Sequence, residues 1–346
     1  MERDGLTRGR RKGLIISLAL SILSLSLLLY FTWEEETLNS LKMINIRGLL
    51  LVSVLVVCLW TLEGLRNKVI LLSLGSPIRL SLMASARIYL ATFFCAGVTP
   101  WAIGEWPCYI YGLTRRQVPP GEAAAAALLR SFFTKIFFLL CSGMVIIFSK
   151  SLRIISSAEL LFRGAFTAAA LSFLAYFLIM FKPGIALAIL ELLHGITPVR
   201  KIFNSRYSLT KFFQTLLDEA CRFRACMKKI LSRGFFFLVL TFILTAVYWM
   251  AYFSIAPLLL WGLGLTPSLL PVISWQMIIV LVLTYVPLPG GSGVAEFGAA
   301  SLFAGFVPSP LLGIFILAWR FFTYFVTLIA GAVSLFLFEG PFRSRE

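Results

Sequence analysis

Apolar runs of about twenty residues recur along the whole chain, and about 20 is the number a helix needs to cross a bilayer's hydrocarbon core. Of the 346 residues, 60% are hydrophobic and only 13% are charged. Soluble domains carry roughly 25% charged residues. Too many such runs follow one another to be hidden in a single soluble core. The chain therefore reads as an all-α polytopic membrane protein. Its first run, GLIISLALSILSLSLLLYFTW, follows Arg3, Arg8, Arg10, Arg11 and Lys12 and carries no small-residue cleavage site. It reads as an uncleaved anchor over 14–33 rather than a removable signal.

The formal net charge of +16 raises nucleic acid as a partner. The basic residues, however, lie between the apolar runs, where positive-inside topology puts them. Nucleic acid is therefore not an expected partner. The six cysteines (Cys58, Cys95, Cys108, Cys141, Cys221 and Cys226) form no CxxC pair, and His194 is the one histidine. Disulfide frameworks, zinc sites and histidine triads do not follow from this pattern. With no GxxxxGK either, no metal and no cofactor are expected, and any energy source would be a gradient.

Charge asymmetry sets an expected topology. The N-terminus is cytoplasmic, the acidic loop EEETLNS faces out, and a second span over 46–64 returns at Arg66 and Lys68. Residues 80–114 are apolar but interrupted by VTPWAIGEWP. Two full crossings fit poorly in that length, so a re-entrant hairpin is expected there. Spans over 121–149 and 158–181 follow. Residues 182–233 carry ten Lys and Arg and form a basic cytoplasmic segment. Within it, 208–231 has the pattern of an amphipathic helix, suited either to an anionic leaflet or to packing as a linker. A span over 234–261 leads to a second interrupted stretch, 267–306, and a last span covers 308–338. The expected fold is about six spans and two broken hairpins in one transmembrane domain, 1–346, of a cell membrane, with both termini cytoplasmic.

The two interrupted stretches resemble each other. The first, TPWAIGEW, is followed by VPPGEAAAAALLRSFFTK; the second, PLPGGSGVAEFG, is followed by VPSPLLGIFILAWRFFTYF. Each runs through proline, glycine, a glutamate (Glu105, Glu296), a Val-Pro helix start, an arginine (Arg130, Arg320) and Phe-Phe-Thr. Ser131 makes the endings slip by one position. The expected repeat cores are 80–149 and 267–338, with opposite orientations. Inverted repeats in transporters place a site at the midplane between broken helices. Pro100, Gly104, Pro287 and Pro289 would break the helices.

Glu105, Arg130, Glu296 and Arg320 would each cost roughly 2.5–3.5 kcal/mol at a helix centre, so they must pair or face water. One reading has the arginines bind an anionic headgroup while the glutamates position them. Backbone N–H groups of Gly290, Gly291, Ser292 and Gly293 would add an anion-binding concavity. The plainer reading has two salt bridges that only fix helix packing. Lys135 and Arg87 are open between structure and function. Trp101, Trp106, Tyr109 and Tyr111 read as an interfacial aromatic belt more readily than as a ligand platform.

Through PLPGGSGVAEFG, VTPWAIGEW with its TRR, and the two Arg/Phe-Phe-Thr helices, the chain resembles the lysylphosphatidylglycerol synthase/flippase transmembrane-region family. The first motif departs from the family pattern, with Pro100-Trp101 and Trp106-Pro107 in place of a Pro-Gly pair followed by an acidic and a basic residue. The resemblance implies the lipid-handling part of that family. Its synthases carry an added soluble catalytic domain after the membrane part, for which this sequence leaves no room, so synthase activity is not expected. The leading expectation is a flippase-like lipid transporter. Its partner would be an anionic phospholipid or lipid-linked phosphate. The alternative is a scaffold or membrane subunit of a lipid-modifying system, with a second copy or an enzyme as the protein partner.

Overall fold

The computed structural model describes residues 45–147, 156–181 and 235–339, with a few positions between 23 and 32. The basic 182–233 segment and most of the expected first span lie outside the described residues. Everything described is helix, turn or loop. In chain order the helices are α1 (Ile46–Leu74), α2 (Leu82–Gly97), α3 (Glu105–Thr114), α4 (Pro120–Ile147), α5 (Ser156–Phe181) and α6 (Phe235–Phe253). They continue with α7 (Ile255–Gly262), α8 (Leu269–Leu283), α9 (Val294–Phe303), α10 (Ser309–Arg320) and α11 (Val326–Glu339). Four unbroken or nearly unbroken stretches are long and apolar enough to cross a membrane: Ile46–Leu74, Pro120–Val145, Phe236–Gly262 and Ser309–Leu337.

Local chemistry explains where these helices begin and end. Asn45 caps α1 by accepting from the Arg47 N–H at 3.0 Å. The helix stops at Gly75, whose φ of 71° lets its N–H turn back onto Leu71 and Leu72. Ser81 caps α2 through the Ala84 N–H at 3.2 Å. Proline opens α4 at its first position, as the Val118-Pro119-Pro120 signal predicts.

Helix α1 runs about ten residues beyond the span expected over 46–64. The reason is that Glu63, Arg66 and Asn67 are buried in the bundle rather than delivered to a membrane face. Their charges are paired internally, so hydropathy alone ends the span too early.

Both interrupted stretches fold back on themselves. In the first, a Cβ added at Gly112 would meet Ile88 at 3.1 Å. Nearer the tip, the Cys108 thiol bonds the Ala91 carbonyl at 3.4 Å, and Gly104 packs on Cys95. Residues ascending α3 thus meet residues descending α2, an antiparallel helical hairpin. In the second, Gly291 packs on Leu283 and Gly298 on Ile279, so α8 and α9 pair in the same sense. Each hairpin tip is a short tight turn, Pro100–Ala102 or Pro289–Gly291, entered through extended backbone at Thr99 or Leu288. Each short helix then packs on the long helix that follows it, and the two turns lie against each other.

The last helix ties the halves together. Gly331 packs on the Leu90 carbonyl and Leu328 on Gly97, so α11 runs antiparallel along α2 with small residues at the contact. Between α10 and α11 the helix widens into a π-turn over Phe321–Phe325, directly after Arg320.

Gly290 sits where hairpin two meets this last helix. Its φ is +62°, and an added Cβ would overlap the Tyr324 hydroxyl. A left-handed non-glycine costs about 1–3 kcal/mol and overpacking a further 1–3. Gly290→Ala should therefore lower the midpoint of thermal unfolding in detergent by several degrees. Gly305→Ala, where no atom lies within 4 Å of the added carbon, should leave it nearly unchanged.

Candidate functional site

The second break is a closed electrostatic joint. Arg320 Nε donates to Glu296 Oε1 at 2.8 Å, and its Nη2 donates to the Gly290 carbonyl at 3.1 Å. The other carboxylate oxygen of Glu296 accepts the Gly293 N–H at 2.6 Å, at the start of α9. The Arg320 guanidinium lies over the Tyr324 ring at 4.4 Å, and the Tyr324 hydroxyl donates to the Gly97 carbonyl of α2 at 3.0 Å. The Glu296 side chain is 0% exposed and that of Arg320 4%.

The glycine-rich turn is occupied from within. The Gly291 and Ser292 N–H groups bond Leu288 and Pro289 inside the turn, and Gly293 serves Glu296. The chain's own carboxylate thus sits where a helix N-terminus favours negative charge.

The first break is built differently. Arg130 Nη1 donates to Glu105 and Nε to Glu63, each at 3.3 Å. Glu63 also accepts from Arg66 at 2.7 Å. The far end of Arg66 reaches the Arg130 carbonyl and the Thr134 hydroxyl, which fixes α1 on α4. The Arg130 guanidinium lies between the rings of Tyr89 (5.7 Å) and Tyr109 (5.4 Å). Tyr109 donates to Asn67 at 3.1 Å, and the Tyr89 and Tyr248 hydroxyls share a 3.0 Å hydrogen bond. Two carboxylates and two guanidiniums make the cluster formally neutral.

One edge of this cluster is open. The Glu105 side chain is 36% exposed and that of Arg130 13%, whereas Glu63 and Arg66 are sealed. Pro100, Trp101, Ala102 and Ile103 at the neighbouring tip are also exposed.

Glu105 is brought to Arg130 and Glu296 to Arg320, each pair within its own repeat. The carboxylates do not, however, hold equivalent places. Glu105 is the first residue of α3, whereas Glu296 stands in the third position of α9. In the first half the deeply buried counter-ion is Glu63, from outside the repeat core. Tyr109, expected in an aromatic belt, is instead buried against Arg130, because its hydroxyl has a partner in Asn67. Trp106 packs against Tyr176 with the rings tilted at 60°, while Trp101 and Tyr111 are exposed.

Sequence reasoning missed Glu63, Arg66 and Asn67. Their signal was LEGLRNK inside an apolar run, with an acid and a base three positions apart on one helix face. Pro287 is exposed beside the turn, and Pro289 is buried as its first residue.

The family model described as lysylphosphatidylglycerol synthase TM region matches residues 14–331. The chain belongs to this family. A UPF0104 membrane protein of Archaeoglobus fulgidus is 30% identical over 332 residues, covering 93% of this chain and 95% of that protein. No solved structure matches. Together with the apolar helices, the match establishes a multi-pass membrane protein.

Removing one member of a buried ion pair costs roughly 3–5 kcal/mol, because the other charge is stranded. Glu296→Gln should lower stability in detergent by about that much, and the double change Glu296→Met, Arg320→Met should cost less than the sum of its parts. Glu105→Gln, at the exposed edge, should cost less than about 1 kcal/mol.

Proposed function

We propose that this protein is a flippase-like lipid transporter of the cell membrane, moving a phospholipid or polyprenyl-linked lipid between leaflets. The observation that carries this reading is the meeting of two proline- and glycine-broken hairpins tip to tip, each backed by an arginine–glutamate pair. Broken backbone at membrane depth is tolerated only against protein or a water-filled cavity. Hairpins entering from opposite faces would meet in this way, which supports the inverted orientation; the basic loops suggest cytoplasmic termini.

The two breaks have different parts in this reading. The Glu296–Arg320 joint, with Gly290 to Gly293 wrapped around it, is the hinge point of hairpin two. The Arg130–Glu105 edge is where an anionic headgroup engages. An incoming phosphate displaces Glu105 from the guanidinium, while Glu63 keeps Arg130 positioned. Arginine suits this exchange because its planar fork meets carboxylate and phosphate alike. The exposed Pro100–Ile103 tip borders the path.

The test is leaflet exchange in proteoliposomes with headgroup-labelled phosphatidylglycerol, phosphatidylethanolamine and a polyprenyl phosphate. Wild-type protein should exchange at least one of them. Arg130→Gln should abolish exchange, and Glu105→Gln should slow it without loss of folded protein. Exchange of none of the three, with or without a proton or sodium gradient, would overturn transport and favour a scaffold or subunit of a lipid-modifying system.

A further inference from the structure

Lys135 is the described cation least explained by the two ion-pair networks. It lies five residues after Arg130 on α4, which turns it to another face of the helix. At 1.5 Å per residue it is about 22 Å from one end of α4 and about 18 Å from the other. A four-carbon stem cannot carry its ammonium to either interface from there. By contrast, Lys68 and Arg87 lie within about two turns of a helix end and can reach out.

Among the described residues no carboxylate lies within ion-pair distance of Lys135. Its hydrogen-bond partner is neutral. The Tyr285 hydroxyl accepts from Nζ at 3.3 Å, and the ammonium stands 5.1 Å from that ring's centre. The same hydroxyl shares a 3.0 Å hydrogen bond with Ser172 of α5. The ring steadies the cation without neutralising it. A charge at this depth costs roughly 2.5–3.5 kcal/mol on insertion scales, and among the described residues no carboxylate within ion-pair distance offsets it.

We propose that Lys135, Tyr285 and Ser172 form a second anion site whose ligand is the phosphate of a lipid headgroup. The ammonium supplies a compact charge with three donors, and the two hydroxyls can turn to donate to phosphate oxygens. The site spans three elements: α4 of the first half, α5, and the segment leading from α8 into the Pro287–Gly293 break. Tyr285 stands two residues before Pro287, so an anion held there sits at the mouth of hairpin two. This deepens the transport reading, on which it rests for its purpose. It gives the path a second station on the opposite face of α4 from Arg130–Glu105.

The test is equilibrium binding to purified protein in detergent, which requires no transport. The probes are headgroup-labelled phosphatidylglycerol, phosphate-free diacylglycerol and soluble glycerol phosphate as competitor. Lys135→Met should weaken phosphatidylglycerol binding about tenfold or more, the scale of one charge-assisted hydrogen bond, and leave diacylglycerol binding unchanged. Lys135→Arg should retain most of the affinity. Thermal unfolding without lipid should show Lys135→Met at least as stable as wild type; Lys135→Gln replaces it if Met misfolds.

Phosphatidylglycerol binding within about twofold of wild type in folded Lys135→Met, or in Lys135→Gln where it stands in, would overturn the site. Equal competition by glycerol phosphate would keep the site and assign it a soluble phosphate source. Lys135-dependent binding without leaflet exchange would sink transport and spare the site. Exchange with Lys135-independent binding would do the reverse.

Discussion

A guanidinium inside an apolar bundle must be neutralised where it stands, and the architecture follows from how two such groups are handled. Arg130 and Arg320 each lie on the long helix that follows a broken hairpin, and each reaches back to the short helix of that hairpin. In doing so each fixes the angle at which its hairpin returns. Without these links the breaks would leave turn backbone and unpaired charge together in an apolar setting, where each unsatisfied group costs several kcal/mol.

The two solutions are unequal, and the inequality has chemical content. Behind hairpin two, Glu296 bonds Arg320 and the Gly293 N–H at once, and the joint is sealed from all sides. Behind hairpin one, the sealed role belongs to Glu63 on α1, which frees Glu105 to sit at an exposed edge. A guanidinium with one permanent and one exchangeable carboxylate is suited to taking an outside anion. One sealed against a buried carboxylate and a turn carbonyl is suited to holding a turn. The motif that looked more complete in sequence is the more occupied in space.

The helices and the two hairpins were legible because hydropathy, proline and glycine act locally; that Glu105, Arg130, Glu296 and Arg320 must pair or face water was legible too, but not which partner each would take. The contribution of α1 was not. Glu63 and Arg66 read as the end of a span, since a charge in an apolar run marks an interface unless its partner is known. That partner, Arg130, lies 67 residues from Glu63. Tyr109 was misjudged for the same reason: a belt residue and a buried ring look alike until Asn67 is found beside its hydroxyl. The glycine-rich turn suggested an anion site in sequence, but not that Glu296 would take the Gly293 N–H.

The account depends on water reaching the broken tips at membrane depth. The direct measurement is labelling of single cysteines in proteoliposomes with a membrane-impermeant thiol reagent, after replacing the native cysteines. Positions Trp101 and Val294 lie at the two tips and are exposed, and Phe336 is an exposed apolar position on the last helix, away from both breaks. The account predicts reaction at both tips and none at Phe336. Tips as unreactive as Phe336 would mean that the breaks face no aqueous path, and the proposed route for a headgroup would not exist.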